Sequence, residues 1–181
     1  VPVLIVPTGP ADQTETAMLM FVHIINSARQ RIWISSPYFV PDESVMSALT
    51  LARLRGVDIR ILIPEMPDNK LMYFAAYDYF DDLSESGIEF YRYQDGFIHE
   101  KVMLVDDALS AVGTANFDNR SFRLNFEITA LMGDQPFAAE VEQMFNDGFA
   151  VSRKMLPGDY DAKPYWFKLA VRVCRLMSPV L

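Results

Sequence analysis

The sequence predicts an α/β fold in which a mixed, largely parallel β-sheet is flanked by helices on both faces. Two observations carry this prediction. Over the first half of the chain, short apolar runs typical of buried strands alternate with amphipathic segments that follow the helical period, and this alternation favours parallel strands joined by helices. In the second half, three strand-like runs follow one another closely, and the first two are joined by a tight turn at Asp107-Ala108.

Each element is placed by its pattern and by the residues that break it. The first helix is expected to begin with a capping box, because Asp12 stands three residues before Glu15, and two further helices end at Gly56 and Gly87. Predicted strands cover residues 1–7, 31–40, 57–64, 88–94, 99–106, 109–116 and 126–133, and predicted helices cover 12–30, 42–56, 68–87 and 135–152. Residues 1–160 are predicted to form a single domain, followed by a separate tail at 161–181.

Charge and composition limit the classes of function. The chain has 181 residues, 51% of them hydrophobic, and its net charge of −8 argues against nucleic-acid binding, which needs a basic face. The only cysteine, Cys174, excludes an intrachain disulfide, and no apolar run is long enough to span a membrane. The start at "VPVLIV" has neither an initiator methionine nor a signal-peptide pattern, so we expect the chain to be a piece of something longer.

One stretch, residues 97–127, concentrates side chains that suit a phosphate group. If 99–106 is a strand, His99 and Lys101 project from the same face roughly 6.5–7 Å apart, a span that a phosphate can bridge. Asn116 offers an amide donor to an oxyanion. Glu127 is predicted to accept a hydrogen bond from one ring nitrogen of His99, which fixes the tautomer and leaves the other nitrogen free. These groups form a minimal set for phosphoryl transfer without a metal ion.

The spacing of these residues resembles a known family motif. The motif of the phospholipase D superfamily, HxKxxxxDxxxxxxG(S/T)xN, has every fixed position filled, by His99, Lys101, Asp106, Gly113, Thr114 and Asn116. The resemblance covers nearly the whole chain from about Gly9 onward. Four stretches are similar to the C-terminal half of bacterial cardiolipin synthases: "RIWISSPYFVPDESVMSAL", "RGVDIRILIP", "ANFDNRSFRLNFE" and "RLMSPVL".

The resemblance implies a phospholipase D-like catalytic domain that performs transphosphatidylation. The phosphatidyl group of one phosphatidylglycerol would move to an enzyme histidine with loss of glycerol, and a second phosphatidylglycerol would take it to give cardiolipin. By the same resemblance, His99 is one of two catalytic histidines, and Lys101 and Asn116 hold the phosphate oxygens. Thr114 assists, Glu127 orients His99, and Asp106 holds its strand and turn. The resemblance implies no metal ion, no organic cofactor and a location at the bacterial inner membrane.

The number of motifs departs from the family pattern, in which two motifs face each other. This chain has one motif, and His23, its only other histidine, has Ile25 where the motif needs lysine. We therefore expect the second motif to come from an N-terminal half or from a second copy of the chain, with His99 as the general acid/base. Three alternatives remain: a hydrolase that acts as a homodimer, a nuclease, which the net charge disfavours, and an isolated half that binds lipid without turnover.

The tail and two arginines allow two interpretations each. No acidic residue follows Asp161, so residues 162–181 contribute +4 to the net charge and residues 1–161 contribute −12. Its helical pattern places Lys168, Arg172 and Arg175 on one side and apolar residues on much of the other, which predicts either an interfacial membrane helix or a helix docked on the domain. Arg120 and Arg123 are either surface charges or contacts to the lipid headgroup.

Overall fold

The computed structural model describes residues 1–66, 68–156 and 158–176. The strands are β1 (Val3–Thr8), β2 (Arg31–Ser35), β3 (Phe39–Val40), β4 (Asp58–Pro64), β5 (Glu89–Tyr93), β6 (Val102–Val105), β7 (Leu109–Gly113), β8 (Phe117–Asp118), β9 (Glu127–Gly133) and β10 (Ser152–Lys154). The helices are α1 (Thr16–Ser27), α2 (Glu43–Leu54), α3 (Lys70–Glu85), α4 (Asn119–Arg123), α5 (Gln135–Ala150) and α6 (Tyr165–Leu176). Every predicted strand and helix is present, while β8, α4 and β10 were not predicted.

The main sheet has eight strands in the order β1-β9-β7-β6-β2-β4-β5-β10. The pairs β2–β4 and β4–β5 are parallel, as the alternation of strands and helices predicts. From β2 towards β1 all pairs are antiparallel, and β10 adds an antiparallel edge to β5. Two short strands, β3 and β8, form a separate parallel pair. The predicted mixed sheet with helices on both faces is confirmed, and among the described residues five of the seven pairs in the eight-stranded sheet are antiparallel, so its parallel part is confined to β2, β4 and β5.

Helices cover both faces of the sheet because its central strands are apolar on both sides. Ile32 and Ile34 of β2 pack into a core shared with α1, α2 and α3, whereas Trp33 between them packs on the opposite face against α5. The Trp33 ring makes an edge contact with Phe145 of α5 at 5.9 Å between ring centroids. The alternation of side chains along a strand therefore assigns the two faces to two layers of helix.

Three sequence expectations about element ends are wrong. Asp12 caps no helix; its carboxylate accepts from the N–H of Gly9, and α1 begins after Glu15 without a side-chain cap. The run 31–40 is two strands, because the chain turns at Ser36 and Pro37 before β3. The strand predicted from residue 99 begins only at Val102, so His99 and Lys101 precede β6 instead of lying in it.

The tail helix α6 packs against α3. Phe167, Val171 and Cys174 are buried at this contact, and Phe167 lies 4.9 Å from Tyr77 and 5.1 Å from Phe74 between ring centroids. Residues 177–181 of the predicted tail lie outside the described residues. Across residues 1–66, 68–156 and 158–176, no helix combines the length and the apolar character needed to cross a membrane.

Candidate active site

The β6–β7 hairpin and the neighbouring β9 bring the motif residues to one edge of the sheet. In this hairpin Val102 stands opposite Val112, and one further bond, from the N–H of Gly113 to the carbonyl of Lys101 (3.1 Å), extends the pairing beyond β6. On the other side of β7, the N–H of Thr114 donates to the carbonyl of Ile128 at 3.0 Å. Lys101, Thr114 and the start of β9 are thereby fixed side by side.

Gly113 is required by the close approach of β9. A Cβ atom at this position would lie 2.4 Å from the carbonyl oxygen of Ile128 and 2.9 Å from the Cα of Thr129. Both neighbours are backbone atoms, so they cannot move aside as a flexible side chain would. The glycine of the motif therefore serves the packing of two strands and lets Thr114 reach the edge beside Glu127.

Lys101 and His99 lie together in the extended segment before β6. The Lys101 ammonium donates to the carbonyl oxygen of His99 at 2.6 Å, and the exposed His99 ring stacks on Phe97 at 5.7 Å between centroids. Partial burial lowers the pKa of Lys101, and the nearby carboxylates of Glu127, Asp118 and Asp68 oppose that change. The cation is thus held next to the histidine and turned towards a cluster of acidic side chains.

Glu127 accepts hydrogen bonds from Thr114 and Asn125 instead of from the predicted partner, His99. Its carboxylate accepts from the hydroxyl of Thr114 and from the amide of Asn125, the latter at 3.1 Å. The Thr114 hydroxyl in turn accepts from the N–H of Ile128 at 3.0 Å. Within the part of the chain that the structure describes, no hydrogen bond joins Glu127 to the His99 ring. The orienting role of Glu127 stays a prediction.

Asn116 is hydrogen-bonded to a buried acid, Asp118, that the sequence analysis did not single out. Its amide donates to the carboxylate of Asp118, which also accepts from the N–H of Ser121 at 2.6 Å and so caps α4. Burial raises the pKa of Asp118, and these hydrogen bonds oppose the rise. The other amide atom of Asn116, Oδ1, is buried and has no partner among the described residues. An unmet polar atom at this point suits a ligand group that donates a hydrogen bond.

Asp106 closes the hairpin away from the phosphate-facing side chains. Its Oδ1 accepts from the N–H groups of Arg29 (3.2 Å), Gln30 (2.8 Å) and Arg31 (3.1 Å). Its backbone is left-handed, with φ of 50°, a conformation that aspartate tolerates better than most residues. This geometry supports the structural role predicted for Asp106.

Tyr38 and Asp68 also border the site, and the sequence reading missed them. The Tyr38 hydroxyl donates to Asp68 at 2.6 Å, and burial together with this bond raises the pKa of Tyr38 to about 12. The charge of Asp68 acts on Lys101, and that of Asp118 acts on Tyr38. One signal was available, because both residues follow the carboxyl ends of parallel strands, where open α/β sheets place their ligands.

The two arginines of "DNRSFR" differ in their contacts. Arg123 is an ion-pair residue: its guanidinium contacts Glu15 at 2.9 Å and the buried Asp42 at 3.1 Å. Arg120 is exposed, and its Nε makes a long hydrogen bond of 3.4 Å to the side chain of Asn125, which in turn donates to Glu127. Arg123 therefore ties α4 to α1 and α2, while Arg120 stands closer to the site. Within the described ranges, no group of three or more histidine, cysteine or acidic side chains is placed to hold a metal ion.

A mixed sheet with helices on both faces and these motif residues at one edge defines the phospholipase D class of domain, and solved structures share its fold. The phospholipase D family member Nuc from Salmonella typhimurium superimposes with a TM-score of 0.71 over 85% of this chain and 97% of Nuc, at 24% identity. The phosphatidylserine synthase of Haemophilus influenzae gives a TM-score of 0.76 over 99% of this chain and 48% of that structure, at 20% identity.

The chain belongs to the family described as "Cardiolipin synthase, PLD-like domain", whose sequence profile matches residues 21–148. Curated relatives include cardiolipin synthase A of Pseudomonas putida (strain GB-1), 51% identical over 96% of this chain. Cardiolipin synthase A of Pseudomonas aeruginosa (strain LESB58) is 51% identical over 98% of it. The chain spans 36% of the length of each of these relatives.

Proposed function

We propose that this chain carries one half of the active site of a cardiolipin synthase, which transfers a phosphatidyl group between two phosphatidylglycerol molecules. The observation that carries the proposal is the meeting of Lys101, Thr114 and Glu127 at one sheet edge, next to His99 and within a cardiolipin synthase family domain. A negative phosphate would find there a fixed cation and a histidine in a segment otherwise lined by acids. The local cation matters more for binding than the net charge of the chain.

The proposed reaction has two steps and needs two histidines. In the first, a nucleophilic histidine nitrogen attacks phosphorus, the bond from phosphorus to the glycerol oxygen breaks, and the second histidine gives that oxygen its proton. In the second step, the histidine that gave up its proton removes a proton from a hydroxyl of a second phosphatidylglycerol. The oxygen of that hydroxyl attacks phosphorus, and the bond from phosphorus to the nucleophilic histidine breaks. We assign His99 the general acid/base role, Lys101 and Asn116 the phosphate oxygens, and Thr114 an assisting role.

The binding of phosphate by Asn116 is compatible with the arrangement described above. Its amide nitrogen carries two N–H groups, so one can donate to Asp118 while the other donates to a phosphate oxygen.

The second motif is proposed to come from an N-terminal half of the same polypeptide or from a second copy of the chain. The surface around the site supports this, because large apolar side chains beside Glu127 are exposed: Leu124 by 57%, Phe126 by 80% and Ile128 by 48%. Phe97, which stacks on His99, is 48% exposed. Apolar side chains gathered next to a charged site are typical of a surface that another protein unit covers.

The test is cardiolipin formation from phosphatidylglycerol in mixed micelles, with lipid products separated by thin-layer chromatography. The chain is assayed alone and together with the portion of the Pseudomonas putida relative that it does not cover. We expect cardiolipin and glycerol in at least one setting, loss of both with His99→Ala, and unchanged yield with the matched control His23→Ala. Cardiolipin formation that survives His99→Ala would refute the assignment.

The other outcomes identify the rival functions. Phosphatidic acid as the main product would show a hydrolase, and cleavage of DNA would show a nuclease. Lipid binding without any product in either setting would show a half-domain that is not catalytic. Because the proposed substrates are membrane lipids, we also place the chain at the surface of the bacterial inner membrane.

A further inference from the structure

Helix α6 has two apolar faces, and only one of them is used inside the protein. The inner face consists of Phe167, Val171 and Cys174, which are buried against the domain. The outer face consists of five apolar side chains that are between 51% and 82% exposed: Tyr165, Trp166, Leu169, Val173 and Leu176. At 100° per residue, these five side chains fall within about 100° of arc. An ordinary docked helix would present polar residues on that side.

Most cations of the tail are engaged with the domain, which fixes how α6 is rotated. Arg175 forms ion pairs with Asp78 and Asp82, and Lys168 pairs with Asp161 at 3.3 Å. Lys163 lies over the ring of Tyr77, 5.4 Å from its centroid. Rotation of the helix to bury its outer face would break these contacts. The outer face is therefore held towards solvent by the same residues that dock the helix.

Arg172 is the cation that borders the outer face directly. It is exposed, and within the described ranges it has no ion-pair partner. Residues 162–176 contain no acidic side chain, while residues 1–161 carry −12. The net negative charge of the rest of the protein repels an anionic surface, whereas the outer face of α6, bordered by Arg172, carries no acidic side chain to oppose it.

We propose that the outer face of α6 binds the surface of an anionic lipid bilayer, with the helix lying parallel to it. Tryptophan and tyrosine at one end, leucine and valine along the stripe and an arginine at its border match the composition of interfacial helices. This inference names the membrane contact of the proposed function and rests on that function for its choice of lipid over a second copy of the chain. Docking on α3 and binding to a membrane are then two uses of one helix.

The contact would also set the position of the candidate active site. Cys174 on the inner face packs in a cluster with Val40 and Met72, and Val40 is the strand partner of Asp118. The bilayer-facing helix is thus one packing layer from the short sheet that ends at the site. A lipid headgroup held at the bilayer surface would approach the site at a fixed height.

Vesicle co-sedimentation tests the proposal without requiring turnover. The probes are vesicles of phosphatidylcholine alone and of phosphatidylcholine with three parts in ten of phosphatidylglycerol. We expect binding to the anionic vesicles, a loss of about tenfold or more with Leu169→Glu/Val173→Glu, and a loss of about fivefold with Arg172→Gln. The matched control is Leu54→Glu on α2, because Leu54 is 78% exposed and lies outside the tail. Circular dichroism checks that each variant is folded.

The outcomes distinguish a lipid bilayer from a second copy of the chain as the partner of the outer face, and they are independent of catalysis. Equal binding of the folded Leu169→Glu/Val173→Glu variant and the parent chain would overturn the inference, as would equal binding to both vesicle types. A chain that sediments as a dimer without vesicles, and as a monomer after Leu169→Glu/Val173→Glu, would assign the outer face to a second copy and also overturn it. His99→Ala should bind vesicles like the parent chain, so failure of catalysis leaves this test intact.

Discussion

Asp106 provides the sharpest test of which motif residues are structural. Its carboxylate accepts three backbone N–H bonds from residues 29–31, and these bonds clasp the hairpin turn to the segment that enters β2. If Asp106 is structural, substitution should lower the free energy of unfolding. The loss should grow with the number of hydrogen bonds removed and with the strain of the new residue in the left-handed backbone conformation. A residue that contacts phosphate would instead leave stability nearly unchanged.

The expected magnitudes follow from the geometry. Each lost bond costs about 1 kcal/mol, at the low end for a charged acceptor because the turn is partly exposed and water can replace it. Alanine at φ of 50° adds about 1 kcal/mol. Asp106→Ala should therefore cost about 4 kcal/mol, and Asp106→Gly, which relieves the backbone, about 3 kcal/mol. Asp106→Asn keeps Oδ1 and should cost about 1 kcal/mol.

Urea unfolding of the isolated chain at pH 7 measures these differences. The control is Asp107→Ala, because Asp107 is the next turn residue, has a side chain 64% exposed and makes one ion pair with Arg31. Its loss should stay below about 1 kcal/mol. Equal stabilities for Asp106→Ala and Asp107→Ala, or a cost of Asp106→Gly above that of Asp106→Ala, would refute the reasoning.

Three further predictions concern the side chains at the sheet edge. Thr114→Val removes both the bond to Glu127 and the acceptor for Ile128, and it should lower the unfolding free energy by about 1 kcal/mol in urea titrations. Lys101→Met should not lower stability, because burial depresses the pKa of Lys101 and so disfavours its charged form in the folded state. It should nevertheless reduce cardiolipin formation about a hundredfold or more. Asp118→Asn should raise stability at pH 7, since burial raises the pKa of Asp118 and the folded state pays for its ionisation.

Each of these predictions has its own control. Thr114→Ser keeps the hydroxyl and should restore the stability that Thr114→Val loses. An unfolding free energy that drops clearly with Lys101→Met would show that its bond to the His99 carbonyl outweighs desolvation. The gain from Asp118→Asn should vanish as the pH falls towards the unfolded-state pKa, because below the raised folded-state pKa the parent carboxyl is also neutral. A gain that persists in acid would contradict that cause.

Local pattern was sufficient to predict the strands and helices that carry their own signal. Residues 61–64 are apolar and end at Pro64, and the turn after Asp106 is short, so the end of β4 and the β6–β7 turn lie where predicted. The start of β6 was misplaced for a reason that sequence does not display. Its partner β2 stops at Ser35, opposite Val102, because the chain turns there, so His99 and Lys101 have no strand to pair with on that side.

Long-range pairs limited the prediction of the site. The motif spacing was enough to identify Lys101, Thr114 and Asn116 as site residues. All three lie next to the ends of one hairpin, β6–β7, so their proximity follows from local sequence. The contact of Asn116 with Asp118 and the pair of Tyr38 with Asp68 depend on how separate elements pack. β10 was missed because its three residues, Ser-Arg-Lys, have no apolar period, and their partner strand β5 lies far away in the sequence.

The position of β1 has a practical consequence for any study of association. β1 is the margin of the eight-stranded sheet, and Val3, Leu4 and Ile5 are exposed by half or more. An apolar edge strand invites a strand from another molecule to extend the sheet, and a lysine on such an edge suppresses this pairing. Leu4→Lys should abolish edge-to-edge assembly but leave any dimer that unites two His99 side chains. Self-association that this substitution removes therefore says nothing about a shared active site.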